Sequence, residues 1–139
     1  MADGMIEVQL CAPESPTLSL TVPEVVCPGA DGVFTVRPGH TLLLTTLVPG
    51  VVIVHDSAGK EQSYAVGGGF AEVAEGDRVT ILADVFEEGP TIDVPRAKAA
   101  QQRAEARLRK PAEDTDLSRA ELALARSLAR IEASERKYF

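Results

Sequence analysis

Tryptophan is absent from the 139 residues, and four phenylalanines with two tyrosines supply every aromatic ring. Proteins that bind single-stranded nucleic acid stack bases on such rings beside a basic groove, so this scarcity argues against that class. Basic side chains are also scarce in one part of the chain. Residues 1–90 hold three (Arg37, Lys60 and Arg78) against thirteen acidic ones, a balance of −10. Residues 91–139 hold eleven against eight, a balance of +3, and the two parts sum to the overall −7. An acidic front and a mildly basic back predict no nucleic-acid partner.

Histidine and cysteine occur twice each. Cys11 and Cys27 match no metal-ligand spacing and read as two buried thiols packing as small apolar side chains, rather than as a disulfide. His55, Asp56 and Ser57 are consecutive, and neighbouring strand residues point to opposite faces, so they make no catalytic triad by themselves. His40 falls in a Pro-Gly turn. The sequence therefore predicts no catalytic residues and no metal site. The run Gly67–Gly69 lacks the Lys-Ser/Thr pair and the following helix of a phosphate loop. It reads instead as a tight strand crossing where a side chain would clash. No apolar run reaches the ~18 residues of a membrane-crossing helix, and "MADGMIEVQL" lacks the basic and apolar regions of a secretory signal. The expectation is an intracellular chain without direct membrane insertion.

Hydrophobic residues make up 45% of the chain, enough for a real core, and the length allows one ordinary domain or a compact domain with an appendage. Up to residue 88 the pattern is one of short strands between turn signals: "MIEVQL", "TLSLTV", "GVFTV" after Asp31-Gly32, "TLLLTTLV" after the turn Arg37–His40, "GVVIVHD", "EQSYAVGG", "FAEVAEG" and "RVTILADVFEE". About eight such strands predict an antiparallel sandwich or barrel. The continuous apolar runs Leu42–Leu44 and Val51–Val54 predict strands buried on both faces.

Gly89 and Pro90 mark a change to helical patterning. Asp93 caps a predicted helix with Pro95 in its first turn, where a missing N–H costs little. Ala97, Ala100, Ala104 and Leu108 form its apolar stripe, and Pro111 ends it. Asp116 or Ser118 caps the next helix, with Ser118 and Glu121 at capping-box spacing. Leu117, Ala120, Leu124, Leu128 and Ile131 form the second stripe as far as about Arg136. The fold class is then α+β: an N-terminal antiparallel β-sandwich over residues 1–88 and a C-terminal antiparallel two-helix hairpin over residues 89–139. A hairpin seamed by alanines buries little apolar area, so residues 94–136 are expected to exchange amide hydrogens readily.

Two ridges of basic residues run along these helices. Arg96, Arg103, Arg107 and Lys110 share one side of the first, and Arg119, Arg126, Arg130 and Lys137 repeat similar spacing on the second. Guanidinium forks suit phosphate, so a closed hairpin could converge both ridges on one anion; the alternative is a solvated basic face.

The stretches "GADGVFTVRPGHTLLLTTLVPG" (29–50), "YAVGGGFAEVAEGDRVTILAD" (64–84) and "IDVPRAKAAQQRAEARL" (92–108) occur in an order that resembles the epsilon subunit of F-type ATP synthases across nearly the whole chain. The resemblance implies a non-catalytic rotor subunit of a proton- or sodium-translocating complex, on the cytoplasmic face of the bacterial plasma membrane. Its sandwich would bind the gamma subunit and the polar loops of the c-ring. Its hairpin would lie folded on the sandwich or extend toward the catalytic beta and alpha subunits and restrain ATP hydrolysis. The family motif Ile/Leu-Asp-x-x-Arg-Ala stands here as Ile92, Asp93, Arg96 and Ala97, and implies regulatory ATP binding by the closed hairpin. By the family pattern Glu87 and Asp93 lie near the base or ribose, and Arg103, Arg126 and Arg130 near the phosphates; no cofactor is otherwise required. The alternatives are a purely structural rotor subunit with a permanently folded hairpin, or a free-standing β-sandwich ligand-binding module.

Overall fold

The computed structural model describes residues 4–136, so Lys137 of the second ridge lies outside the described residues. In chain order the strands are β1 (Ile6–Ala12), β2 (Ser15–Val22), β3 (Glu24–Gly29), β4 (Gly32–Val36), β5 (Leu43–Leu47), β6 (Gly50–His55), β7 (Glu61–Val66), β8 (Gly69–Ala74), β9 (Arg78–Ala83) and β10 (Phe86–Glu88). A 3₁₀ turn at Gly89–Thr91 leads into helices α1 (Val94–Arg109) and α2 (Leu117–Glu135). The strands form one curled sheet in the order β10-β7-β6-β3-β5-β8-β9-β1-β2, with β4 paired to β3. A single residue pair, Gly29 with Leu47, joins β3 to β5, and the sheet turns there into two layers.

Alternation along the strands aims one face of each layer inward. Ile6, Val8 and Leu10 of β1 and Val79 and Ile81 of β9 meet Val25 and Cys27 of β3 and Val52 and Val54 of β6, all at most 2% exposed. Each such aliphatic side chain contributes about 1.5–3 kcal/mol by leaving water.

The eight segments read from patterning cover nine of these ten strands. Patterning misses β3 (Glu24–Gly29), whose Pro28 cannot donate to a ladder. It also fuses β9 and β10, which separate at Asp84: the Asp84 N–H donates to the Gly68 carbonyl at 3.1 Å, and the Val85 N–H to the Asp84 side chain at 2.6 Å. All strand pairs are antiparallel except β1 with β9, which is parallel. The glycine run behaves as a tight crossing. Gly69 has φ +143°, and a Cβ there would overlap the Leu82 carbonyl oxygen.

The two apolar runs differ in outcome. Val51 and Ile53 face away from the core, yet remain buried because Ala65, Ile92 and Ala133 cover them, so β6 is buried on both faces as expected. The expectation for Leu42–Leu44 is overturned: Leu42 is 61% and Leu44 71% exposed. Among the described residues the hairpin packs on β6, β7 and β10 rather than on β5, whose outward face stays open.

Both cysteines are free; Cys27 is buried and Cys11 is half-buried. Burial pushes the Cys27 thiol from 9.0 up to about 12. Below about pH 9 the thiol is protonated folded or unfolded and its contribution is constant; as pH rises from 9 toward 12 the unfolded chain sheds the proton first, and stability falls. Iodoacetamide at about pH 8 is expected to label the native chain once, at Cys11, with Cys27 modified only after unfolding. Mass spectrometry showing two native labels at similar rates would contradict this burial.

Candidate functional site

Asp93 and Asp116 cap the helices, each accepting a backbone N–H three residues on (Arg96 and Arg119) at 3.1 Å. Of the two candidate caps for α2, Asp116 serves. The buried residues are small: Ala97 and Ala104 in α1, and Ala120, Ser127, Ala129 and Ala133 in α2. The expected leucine stripe on α2 needs correction, since Leu117 and Leu128 stay 46% and 44% exposed. α2 lies between α1 and the layer carrying β6 and β7. Small side chains therefore occupy its inward faces and leucines its flanks.

The seat of α2 on the sheet is a close backbone approach. Ser63, fully buried on β7, donates its hydroxyl to the Ala133 carbonyl oxygen at 3.0 Å, which satisfies both groups. At Gly89 any Cβ would overlap that same carbonyl oxygen. Three arginines along α2 and its end then reach acidic residues of the sandwich: Arg126 to Asp84 at 3.6 Å, Arg130 to Glu87 at 2.7 Å and Arg136 to Glu61 at 3.0 Å. These pairs are partly exposed, so each contributes only about 0–1 kcal/mol. They fix the rotation of the helix more than they hold it.

Seven of the eight residues predicted at the site border one cavity of about 540 Å³ between the hairpin and β10: Glu87, Ile92, Asp93, Arg96, Ala97, Arg103 and Arg130. Ala100, which the stripe placed in the helix seam, also lines it. Arg126 does not. It stands on the far side of the Arg130–Glu87 pair, beside Gly67 and Val85, where almost no free space remains. Arg96 and Arg103 form no ion pair among the described residues, and Arg130 keeps guanidinium donors beyond the Nε that Glu87 engages. The walls therefore offer three guanidinium groups, two carboxylates and an apolar strip of Ile92 and Ala97. That volume and donor set fit a nucleoside phosphate. Asp84 and Ser63 escaped the sequence reading because nothing local marks a strand residue as the partner of a helix far along the chain.

The other candidates disperse. His55 lies between Glu24 at 3.0 Å and Glu61 at 3.4 Å, while Asp56 turns away to accept the N–H groups of Ala58 and Lys60 at 2.9 and 2.8 Å. Among the described residues no cluster suits a metal ion, and no helix is long and apolar enough to cross a membrane.

A β-sandwich bearing an arginine-rich helical hairpin folded on one layer defines a two-part class of small protein. The chain belongs to the ATP synthase delta/epsilon chain family: the family's beta-sandwich domain matches residues 5–89 and its long alpha-helix domain residues 91–135. It is 43% identical over 128 residues to the ATP synthase epsilon chain of Desulforamulus reducens, covering 92% of this chain and 96% of that one. It is 42% identical over 132 residues to that of Anaeromyxobacter sp. strain Fw109-5, covering 94% and 98%. Among solved structures it is similar to a chain of the Euglena gracilis mitochondrial ATP synthase, determined as OSCP, F1 and c-ring, with TM-score 0.82, 25% identity and coverage of 96% and 82%. A chain of the Tetrahymena thermophila mitochondrial central stalk and c-ring shares the fold, with TM-score 0.59, 12% identity and coverage of 93% and 96%. The chain is thus a non-catalytic subunit of an ATP synthase.

Proposed function

We propose that the chain is a central-stalk rotor subunit whose hairpin restrains ATP hydrolysis when it leaves the sandwich, and whose docked form is favoured by ATP in the cavity between hairpin and β10. The observation that carries this reading is the shared use of Arg130. It anchors α2 to Glu87 and at the same time borders the cavity with Arg96 and Arg103. A polyphosphate seated there would bridge α1, α2 and the sandwich edge, and so bind the docked form better than any extended one. Differential affinity of that kind is what shifts a conformational equilibrium.

The seam of alanines supports reversible docking, because small residues give close approach with little apolar area to hold it. Once freed, the arginines of α2 present a basic face suited to acidic segments of the beta and alpha subunits. On the opposite layer, Leu44, Phe70 and Leu82 stand 71%, 54% and 54% exposed on the outer face of three adjacent strands, β5, β8 and β9. Contiguous exposed apolar side chains of this kind mark an interaction surface. We assign it to the gamma subunit, with strand-end turns left for the polar loops of the c-ring. Association with the membrane's cytoplasmic face then comes through the complex.

Calorimetric titration of the full chain with ATP tests the nucleotide reading. Saturable binding is expected, weakened about tenfold or more in Arg103→Ala, which removes charge-assisted phosphate contacts. Arg126→Ala is expected to do less, since Arg126 lies outside the cavity. No saturable heat at millimolar ATP would leave the hairpin as a docking arm without a nucleotide sensor.

A further inference from the structure

The far end of the hairpin takes no part in the cavity beside β10. Where the helices diverge, a second cavity of about 650 Å³ opens between the last turns of α1 and the first turn of α2. Arg107 and Lys110 border it from the α1 side, Arg119 from α2, and Thr115 from the connector. None of the three cations makes an ion pair among the described residues. This is unlike Arg126, Arg130 and Arg136, each of which has a carboxylate partner. Two acidic side chains share the lining. Asp116 is engaged as the cap that accepts the Arg119 N–H, which leaves Asp114 as the free counter-charge.

Like charges facing each other across two helices repel, so closing this end of the hairpin works against Arg107, Lys110 and Arg119. The seam here offers little to offset that repulsion, since Ala106, Ala120 and Ala123 are the apolar side chains nearest the cavity's helical walls. An anion with several oxygens would reverse the sign of the interaction, because guanidinium forks on separate helices could each hold a phosphate group. We propose that the hairpin tip is a second anion site, distinct from the cavity beside β10, that takes a di- or triphosphate chain, and that its occupancy ties the two helix ends together. Thr115 supplies a neutral hydroxyl donor at the mouth, and Asp114 limits affinity by its charge.

Residue-resolved amide NMR of the full chain, titrated with tripolyphosphate and separately with ATP, tests this site apart from the first. Tripolyphosphate is expected to shift the amides of residues 115–120 with saturation. Arg119→Ala and Arg107→Ala should each weaken that response about tenfold. Asp114→Asn should tighten it severalfold, and Arg109→Ala, whose side chain does not border the cavity, should leave it unchanged. ATP shifting the same amides would show that the phosphate chain is recognised whatever carries it. The proposal is overturned if tripolyphosphate shifts only residues 92–103, if the tip shifts persist in Arg119→Ala, or if only ATP moves the tip. Failure of ATP binding at the first cavity would be read separately, at residues 92–103.

Discussion

Replacing Phe70 and Leu82 together by aspartate is expected to leave the isolated chain folded and to weaken its association with the gamma subunit on the order of a hundredfold or more. Both side chains stand 54% exposed, so the fold loses little; substitutions at exposed positions change stability by roughly 0.5 kcal/mol or less. Phe70 and Leu82 are directly opposed on β8 and β9, and Phe70 is opposed in turn to Thr46 on β5. An aromatic and a leucine side by side at the centre of an apolar patch have the character of binding hot spots, and two buried aspartates in their place would be left unpaired. Circular dichroism with size-exclusion co-elution would show the split: native spectrum, lost complex. Unchanged co-elution would place the gamma contact on another face.

Ala133→Leu should free the hairpin without melting the sandwich. Ala133 is fully buried among Val51, Ile53, Ala65 and Ile92, and its carbonyl oxygen receives the Ser63 hydroxyl while lying against Gly89. A larger side chain has no space to enter, and overpacking of this kind costs about 1–3 kcal/mol. The main core between the two layers is a separate cluster and does not include Ala133. Amide exchange across residues 94–136 is therefore expected to accelerate by about tenfold to a hundredfold, with the strands β1, β6 and β9 unaffected. In the assembled synthase the same variant should hydrolyse ATP more slowly, because the extended hairpin is more populated. Uniform acceleration through the strands would mean that hairpin and sandwich unfold as one unit, and the switch reading would fail.

Much of this arrangement is legible from local pattern. Alternating apolar residues marked the strands, Asp93 and Asp116 marked the helix starts, and a conformationally special glycine run marked the crossing between β7 and β8. The motif residues Ile92, Asp93, Arg96 and Ala97 also border one cavity, with Asp93 as the cap of α1 and Arg96 and Ala97 in its first turn. Local pattern misled where burial depends on a distant neighbour. Leu42–Leu44 and Val51–Val54 look equally apolar, yet only the second run lies beneath α2. On α2 the leucine stripe suggested one apolar face, whereas two flanking surfaces select alanine and serine.

The arginine ridge shows the same division. Sequence alone determined that Arg96, Arg103 and Arg107 share one side of the first helix and Arg119, Arg126 and Arg130 one side of the second, since a 3.6-residue period fixes their angular positions. It also determined the family, through stretches spread over nearly the whole chain. Tertiary structure decided where each charge goes: Arg96, Arg103 and Arg130 to the cavity at β10, Arg126 to Asp84, and Arg107, Lys110 and Arg119 to the hairpin tip. Periodicity and capping act over three or four residues. The rotation of α2 rests on contacts such as Ser63 with Ala133, seventy positions apart, which no local pattern encodes.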